Sequence, residues 1–127
     1  MKPEIIATPA APKAIGPYSQ AIVADPFIFV SGQLGSNPET GNLVGGDIRS
    51  QTEQALQNLD HILQAAGSDR DHVVSVDVFL CDMADFQAMN GVYETYFNTH
   101  RPARAAIGVA ALPKGAIVEI RCIAVRK

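Results

Sequence analysis

The chain has 127 residues, of which 47% are apolar and 6% aromatic, with no tryptophan. This length fits one domain, residues 1–127, whose core must be built from Val, Ile, Leu and Ala. The formal net charge is −3, and the basic residues are scattered rather than gathered into a stripe that could follow phosphates. The composition therefore argues against a nucleic-acid partner.

Targeting, metal and cofactor signals are also missing from the sequence. The first residues include Pro3, Pro9 and Pro12 but no apolar signal region, and no apolar run approaches the length of a membrane span. Cys81 and Cys122 lie far apart, without a histidine at metal-ligand spacing. We therefore expect a cytoplasmic protein with no membrane partner, no disulfide framework, no metal and no cofactor.

Three short apolar runs predict strands in the first part of the chain, at residues 4–7, 19–24 and 27–31. Asp25 and Pro26 separate the second run from the third, which predicts a hairpin. Residues 37–42 combine proline, glycine and asparagine, a composition typical of a turn.

A helix is predicted from near Asp47 to Gly67. Its stripe recurs at steps of three and four residues, at Ile48, Thr52, Ala55, Leu59, Ile62 and Ala66. Residues 73–80 predict a strand with one apolar face, formed by Val74, Val76, Val78 and Leu80.

A second helix should follow, capped by Asp82 or Asp85. Its stripe consists of Phe86, Met89, Asn90, Tyr93 and Phe97. Two final strands are predicted near residues 103–112 and 116–125, with a tight turn at 112–115 between them.

These elements predict an α+β fold, a single mixed sheet of about six strands with two helices packed on one face. The other face would stay uncovered. An apolar face of that size on a small protein usually marks a subunit interface, so we expect the chain to self-associate.

Arg104 and Glu119 are charged residues within the final apolar strands. A charge removed from water costs several kcal/mol unless it is paired, at an edge or bound to a ligand. Arginine can hold a carboxylate through two parallel hydrogen bonds, so Arg104 is either a carboxylate clamp or part of a structural ion pair with Glu119 or with an acid of another subunit. Glu119 is either a general base that positions a water or an ordinary carboxylate facing solvent beside Arg121.

Asn90 is the one amide in the stripe of the second helix, and it must find hydrogen-bond partners there. A satisfied core amide is the ordinary explanation. Tyr18 and Ser31 are also unremarkable alone, as a core ring with a surface hydroxyl and as the start of a turn at Gly32. His61, His72 and His100 are interpreted as structural or surface groups.

Four ordered motifs together resemble the RidA (YjgF) family of enamine/imine deaminases over essentially the whole chain. They are Ile15-Gly16-Pro17-Tyr18-Ser19-Gln20, Val30-Ser31-Gly32-Gln33, Asn90-Gly91-Val92-Tyr93 and the segment around Arg104. The resemblance implies a homotrimer of chorismate-mutase-like fold with sites between subunits. It also implies hydrolysis of reactive 2-imino acids to 2-keto acids and ammonia.

The resemblance also implies a role for each matching residue. Arg104 would hold the substrate carboxylate, and Glu119 would orient the attacking water. Asn90 would support the arginine or the ligand. Tyr18 would line the pocket from across the subunit interface. The substrate would further contact Ser31, Gly32 and Ala106.

One position departs from the family pattern. Many bacterial members carry a cysteine two residues after the arginine, where this chain has Ala106. We expect this change to affect the choice of substrate more than the activity itself.

The sequence thus predicts a cofactor-free 2-iminobutanoate/2-iminopropanoate-type deaminase. The alternative is a non-catalytic trimer, either ligand-binding or chaperone-like and translation-regulatory, that uses the same cleft. An endoribonuclease fits poorly because the chain is acidic and lacks a basic stripe. The presence of Arg104 together with Glu119 favours the enzyme, since a sensor needs only the clamp.

Overall fold

A computed structural model describes residues 2–127 and contains six strands and two α-helices. The strands are β1 (Glu4–Ile6), β2 (Ala21–Ala24), β3 (Phe27–Leu34), β4 (Val73–Leu80), β5 (Ala103–Gly108) and β6 (Val118–Val125). The helices are α1 (Ile48–Ala65) and α2 (Phe86–Tyr96). Single 3₁₀ turns lie at Arg70–His72, Met83–Asp85 and Pro113–Gly115.

The strands form one sheet in the order β1-β2-β3-β6-β4-β5. Every neighbouring pair is antiparallel except β4 and β5, which are parallel. The predicted mixed sheet of six strands with two helices is therefore confirmed. The order also separates the last two strands, because β4 lies between β5 and β6.

Both helices pack on the same face of the sheet, as predicted. Along β4 and β6 the buried side chains alternate with partly exposed ones, so one face of the sheet joins the helices in the core. The opposite face is uncovered and carries exposed Phe27, Phe29 and Ile107, together with the charged Arg121. This face has both apolar and charged side chains, whereas the sequence predicted an apolar face.

Helix α1 follows its predicted bounds for identifiable reasons. The Asp47 side chain accepts a hydrogen bond from the Ser50 amide at 3.0 Å, which caps the first turn. This bond lowers the pKa of the Asp47 carboxyl. At the other end Gly67 has φ of +80°, a left-handed conformation that glycine adopts without strain and that stops the helix.

Strand β3 is longer than predicted, because it continues past Gly32 to Leu34. Its pairing with β6 shifts register between Val30 and Gln33, which is a β-bulge. The bulge keeps Ser31 and Gly32 inside the sheet, so the expected turn at Gly32 was wrong. The Asp25–Pro26 peptide is cis and connects β2 to β3 in the predicted hairpin.

Strand β4 has its predicted bounds, but the placement of Val74 was wrong. Val73 is fully buried and Val74 is 42% exposed, because the register with β6 shifts between Val73 and Ser75. From Val76 onward the predicted alternation holds.

The last two strands are shorter than expected, and the prediction that Asp82 or Asp85 caps the second helix is wrong. Asp82 caps the 3₁₀ turn by accepting from the Ala84 amide at 2.9 Å, while Asp85 precedes α2 without a side-chain cap. β5 ends at Gly108, and β6 begins only at Val118. Between them the 3₁₀ turn at Pro113–Gly115 places Lys114 at φ of 60°.

Neither helix in residues 2–127 is long and apolar enough to span a membrane. Over the same residues no three His, Cys, Asp or Glu side chains are grouped as metal ligands would be.

Candidate active site

The predicted site residues fall into two groups in the chain. Tyr18, Ser31, Gly32 and Glu119 line a cleft of about 800 Å³, and we call this group the glutamate half-site. Arg104, Asn90 and Ala106 lie together where β5 meets α2, and we call this group the arginine half-site.

Glu119 lies on β6 and is paired in register with Leu34 on one side and Phe79 on the other. It is partly buried on the uncovered face of the sheet, beside Arg121 on the same strand face. Partial burial raises the pKa of the Glu119 carboxyl, and the nearby Arg121 guanidinium partly opposes that rise. A carboxylate with a raised pKa is a better proton acceptor, as general-base chemistry requires.

Gly32 provides the space that the Glu119 carboxylate occupies. A Cβ atom built on Gly32 would lie 2.8 Å from Glu119 Cδ and 3.0 Å from its Cγ. Any other residue at this position would therefore displace the Glu119 side chain.

We expect Gly32→Ala to fold normally but to lose at least about 10-fold in turnover, since displacing a positioned base removes part of its ~10²–10⁴-fold contribution. Steady-state kinetics and circular dichroism will test this expectation. Gly46→Ala is the matched control, because a Cβ there would meet nothing within 4 Å. Equal activity in Gly32→Ala and wild type would show that the Glu119 position does not matter.

Arg121 is the charged neighbour of Glu119 on the same strand face, and Asp77 holds it through Nε at 3.0 Å. Removing its positive charge should raise the Glu119 pKa further. If turnover needs ionised Glu119, Arg121→Leu will move the acid limb of the pH–rate profile to higher pH. Arg126→Leu, which removes a cation paired instead with Glu4, should leave the limb in place. An unmoved limb in Arg121→Leu would contradict the role of Glu119.

The Ser31 hydroxyl donates a hydrogen bond to the Ser19 carbonyl at 2.6 Å, and the Ser31 amide donates to the Gln20 carbonyl at 2.9 Å. These bonds attach the 12–20 segment to the bulge in β3. The Ser31 proton is thus already engaged, and its oxygen can still accept a hydrogen bond from a ligand.

Tyr18 lies on that segment with 53% of its surface exposed, so it is not a core ring. Buried Gln20 fixes the segment, since its amide donates to the carbonyls of Thr8, Ala11 and Pro12. The Tyr18 ring therefore forms an exposed wall on a segment that is well attached to the sheet.

In the arginine half-site, Arg104 Nη1 donates to Asn90 Oδ1 at 2.6 Å. This bond explains the amide in the α2 stripe. Ala106 lies two residues further along β5 on the same face as Arg104, and it is partly buried against the core.

Arg104 and Glu119 of the same chain do not form an ion pair, so that pairing within one copy is wrong. Arg104 contacts α2 on the helix-covered face, while Glu119 lies on the uncovered face and two strands away. Within residues 2–127 no carboxylate lies within ion-pair distance of Arg104. A single chain thus presents the two half-sites separately.

Sequence reasoning missed two neighbours of these charges. Tyr93 and Phe86 place their rings 4.6 Å and 5.6 Å from the Arg104 guanidinium carbon. Both residues were identified in the α2 stripe, and their spacing of seven residues puts them on the same side of the helix as Asn90. That spacing is the signal that could have linked them to Arg104.

The histidines and cysteines lie outside both half-sites. His61 and His100 make hydrogen bonds to the carbonyls of Ala10 and Val73, and His72 pairs with Asp69 at 2.6 Å. Both cysteines are free thiols, and burial raises the pKa of Cys122 to about 12. A thiol with such a pKa is a poor nucleophile at neutral pH.

Comparison with known proteins gives consistent matches over the whole chain. Residues 8–126 match the family model described as Endoribonuclease L-PSP. A 2-iminobutanoate/2-iminopropanoate deaminase from Capra hircus is 54% identical over 96% of this chain and 89% of its own length.

Two solved structures have the same fold. A putative endoribonuclease from Thermotoga maritima has a TM-score of 0.96 at 50% identity, covering 100% of this chain and 99% of its own. The E. coli protein TdcF, solved with bound serine, has a TM-score of 0.93 at 38% identity, covering 98% and 99%. This chain therefore belongs to the Endoribonuclease L-PSP family, which is the RidA (YjgF) family that its motifs resemble.

Proposed function

We propose that the protein hydrolyses 2-iminobutanoate and 2-iminopropanoate to the corresponding 2-keto acids and ammonia. The observation that carries this proposal is an arginine with no acidic partner in residues 2–127, in a chain that also places a partly buried glutamate in a cleft. The Capra hircus relative, which is named for this activity, supports it.

In the proposed reaction Arg104 binds the substrate carboxylate through two N–H donors, with Asn90 fixing the guanidinium. Glu119 orients a water molecule and accepts its proton as the oxygen attacks the protonated imine carbon. The resulting carbinolamine loses its C–N bond after the proton moves to nitrogen, which gives the 2-keto acid and ammonia. Tyr18, Ser31, Gly32 and Ala106 shape the pocket around the substrate.

We propose that the two half-sites of one active site come from different copies, in a homotrimer of chorismate-mutase-like arrangement with sites between subunits. The uncovered face supports association, because it exposes Phe27, Phe29 and Ile107 to water. β5 also pairs only with β4 and offers an unpaired edge within residues 2–127. Light scattering should give about three times the chain mass of 13.5 kDa, and a stable monomer would contradict the shared site.

The proposed activity needs no cofactor, metal or nucleic acid, and we place the protein in the cytoplasm. A protonated imine is already electrophilic, so the site must supply only orientation, a water and charge stabilisation. Dialysis against a chelator should leave the activity unchanged.

The decisive assay generates the imino acid in place with an amino-acid oxidase and adds semicarbazide as a competing trap. As the protein concentration is raised, less imine should be trapped as semicarbazone and more should appear as 2-keto acid. If binding of a 2-keto acid is seen without any diversion, the protein is a non-catalytic ligand-binding trimer. RNA cleavage without diversion would instead support the endoribonuclease named in the family description.

A further inference from the structure

Among residues 2–127, neutral groups alone hold the guanidinium of Arg104. Asn90 Oδ1 accepts one of its hydrogen bonds, and the rings of Tyr93 and Phe86 lie within cation–π distance. A carboxylate partner would also hold the arginine, but it would use the donors that a substrate carboxylate needs. A ring face attracts the cation without occupying most of its N–H donors, so the arginine is ordered while its remaining donors stay available.

Tyr93 is the closer of the two rings and is itself rigidly placed. It is 6% exposed, and its ring packs against Phe97 with centroids 4.9 Å apart. Phe97 in turn meets Tyr96 edge-on at 4.6 Å. The support behind Arg104 is therefore a column of three aromatic rings at the end of α2.

The Tyr93 hydroxyl does not contribute to this arrangement. It is buried and has no hydrogen-bond partner within residues 2–127. Burial raises the pKa of the hydroxyl to about 12, so it stays protonated at neutral pH. The feature of Tyr93 that Arg104 contacts is its ring face.

We propose that Tyr93 is a positioning residue for carboxylate binding, and that its ring face holds the Arg104 guanidinium in the orientation that receives the substrate. This inference rests on the proposed function of Arg104 as a carboxylate clamp. Tyr93 acts through the arginine and does not touch the reacting atoms.

The test measures the dissociation constant of 2-ketobutanoate, a product of the proposed reaction, by calorimetry, together with turnover at saturating imine. Tyr93→Leu should weaken binding by about 3- to 30-fold and change saturated turnover by less than about twofold. Tyr93→Phe keeps the ring and should restore the affinity that leucine loses. Met89→Ala is the matched control, because it opens a cavity on the fully buried side of the same helix without removing a ring near Arg104, and its affinity should equal that of wild type.

A double-mutant cycle with Arg104→Lys separates positioning from general stability. If Tyr93 acts through the guanidinium, Tyr93→Leu will have little further effect once Arg104 is lysine. Should Tyr93→Leu fail to fold, the more exposed Phe86→Leu gives the same comparison, with an expected loss of about 2- to 3-fold.

The outcomes distinguish this inference from the proposed function. If Arg104→Lys weakens binding but Tyr93→Leu does not, or if Met89→Ala weakens it as much as Tyr93→Leu, the positioning role is wrong and the clamp stands. If Tyr93→Phe binds 2-ketobutanoate as weakly as Tyr93→Leu does, the positioning role is also wrong. If Arg104→Lys itself leaves the affinity unchanged, the clamp of the proposed function is wrong.

Discussion

Glu119→Gln should slow imine hydrolysis by ~10²–10⁴-fold, the usual loss when a positioned general base is removed. The amide keeps the size of the side chain and still fits the space left by Gly32, but it cannot accept the proton of the attacking water. Single-turnover kinetics at saturating imine will measure this effect. Affinity for 2-ketobutanoate should stay within about threefold of wild type, because Glu119 is not the carboxylate clamp.

The same substitution should not destabilise the fold, because a partly buried charged carboxylate costs free energy that a neutral amide does not. The Glu119 pKa is higher in the folded chain than its ordinary value of 4.5. Protonation of Glu119 therefore stabilises the folded chain. This contribution is complete at acid pH and is lost as the pH rises through the pKa of Glu119 in the folded chain. Relative to wild type, Glu119→Gln should gain thermal stability over that range of pH.

A parallel loss of turnover and 2-ketobutanoate affinity in Glu119→Gln would contradict this assignment. Glu119 would then be structural, and a non-catalytic ligand-binding trimer would become the better account. Glu94→Gln on the exposed surface of α2 is a matched control for the change of charge, and it should leave both quantities unaltered.

Arg104→Lys should lower kcat/KM on the order of 10- to 100-fold although the charge is kept, since hydrogen bonds to charged groups contribute ~1.5–3 kcal/mol. An ammonium group cannot reproduce the planar fork that binds both carboxylate oxygens while also donating to Asn90. Most of the loss should appear as weaker substrate binding. Steady-state kinetics over a range of imine concentrations separates KM from kcat.

Arg49→Lys on the surface of α1 provides the control for exchanging an exposed arginine. It should match wild type in both parameters. Near-wild-type kinetics in Arg104→Lys would instead remove the carboxylate clamp from the account.

Local elements of this fold could be predicted from the sequence because short-range rules determine them. Asp47 and Gly67 bound α1 through a cap and a left-handed residue, and both signals are visible in the chain itself. The exposure of Val74 could not be predicted in the same way, because it depends on a register shift between β4 and β6. Such a shift is a property of strand pairing that alternation alone does not reveal.

The candidate site was also only partly predictable. Arg104 and Glu119 drew attention because charges are costly within apolar strands. Their separation could not be inferred, since it depends on β4 lying between β5 and β6. Tyr93 was predicted only as a member of the α2 stripe, and its contact with Arg104 depends on where β5 meets α2.

The central claim is that Arg104 of one copy works with Glu119 of another, and co-expression of two inactive variants tests it most directly. Chains carrying Arg104→Ala and chains carrying Glu119→Gln should together recover about a quarter of wild-type activity, because random assembly then pairs two intact half-sites at that fraction of positions. Each variant expressed alone stays inactive. If the mixed assemblies are confirmed by differently tagged chains and still show no activity, the site is not shared between copies and the account is wrong.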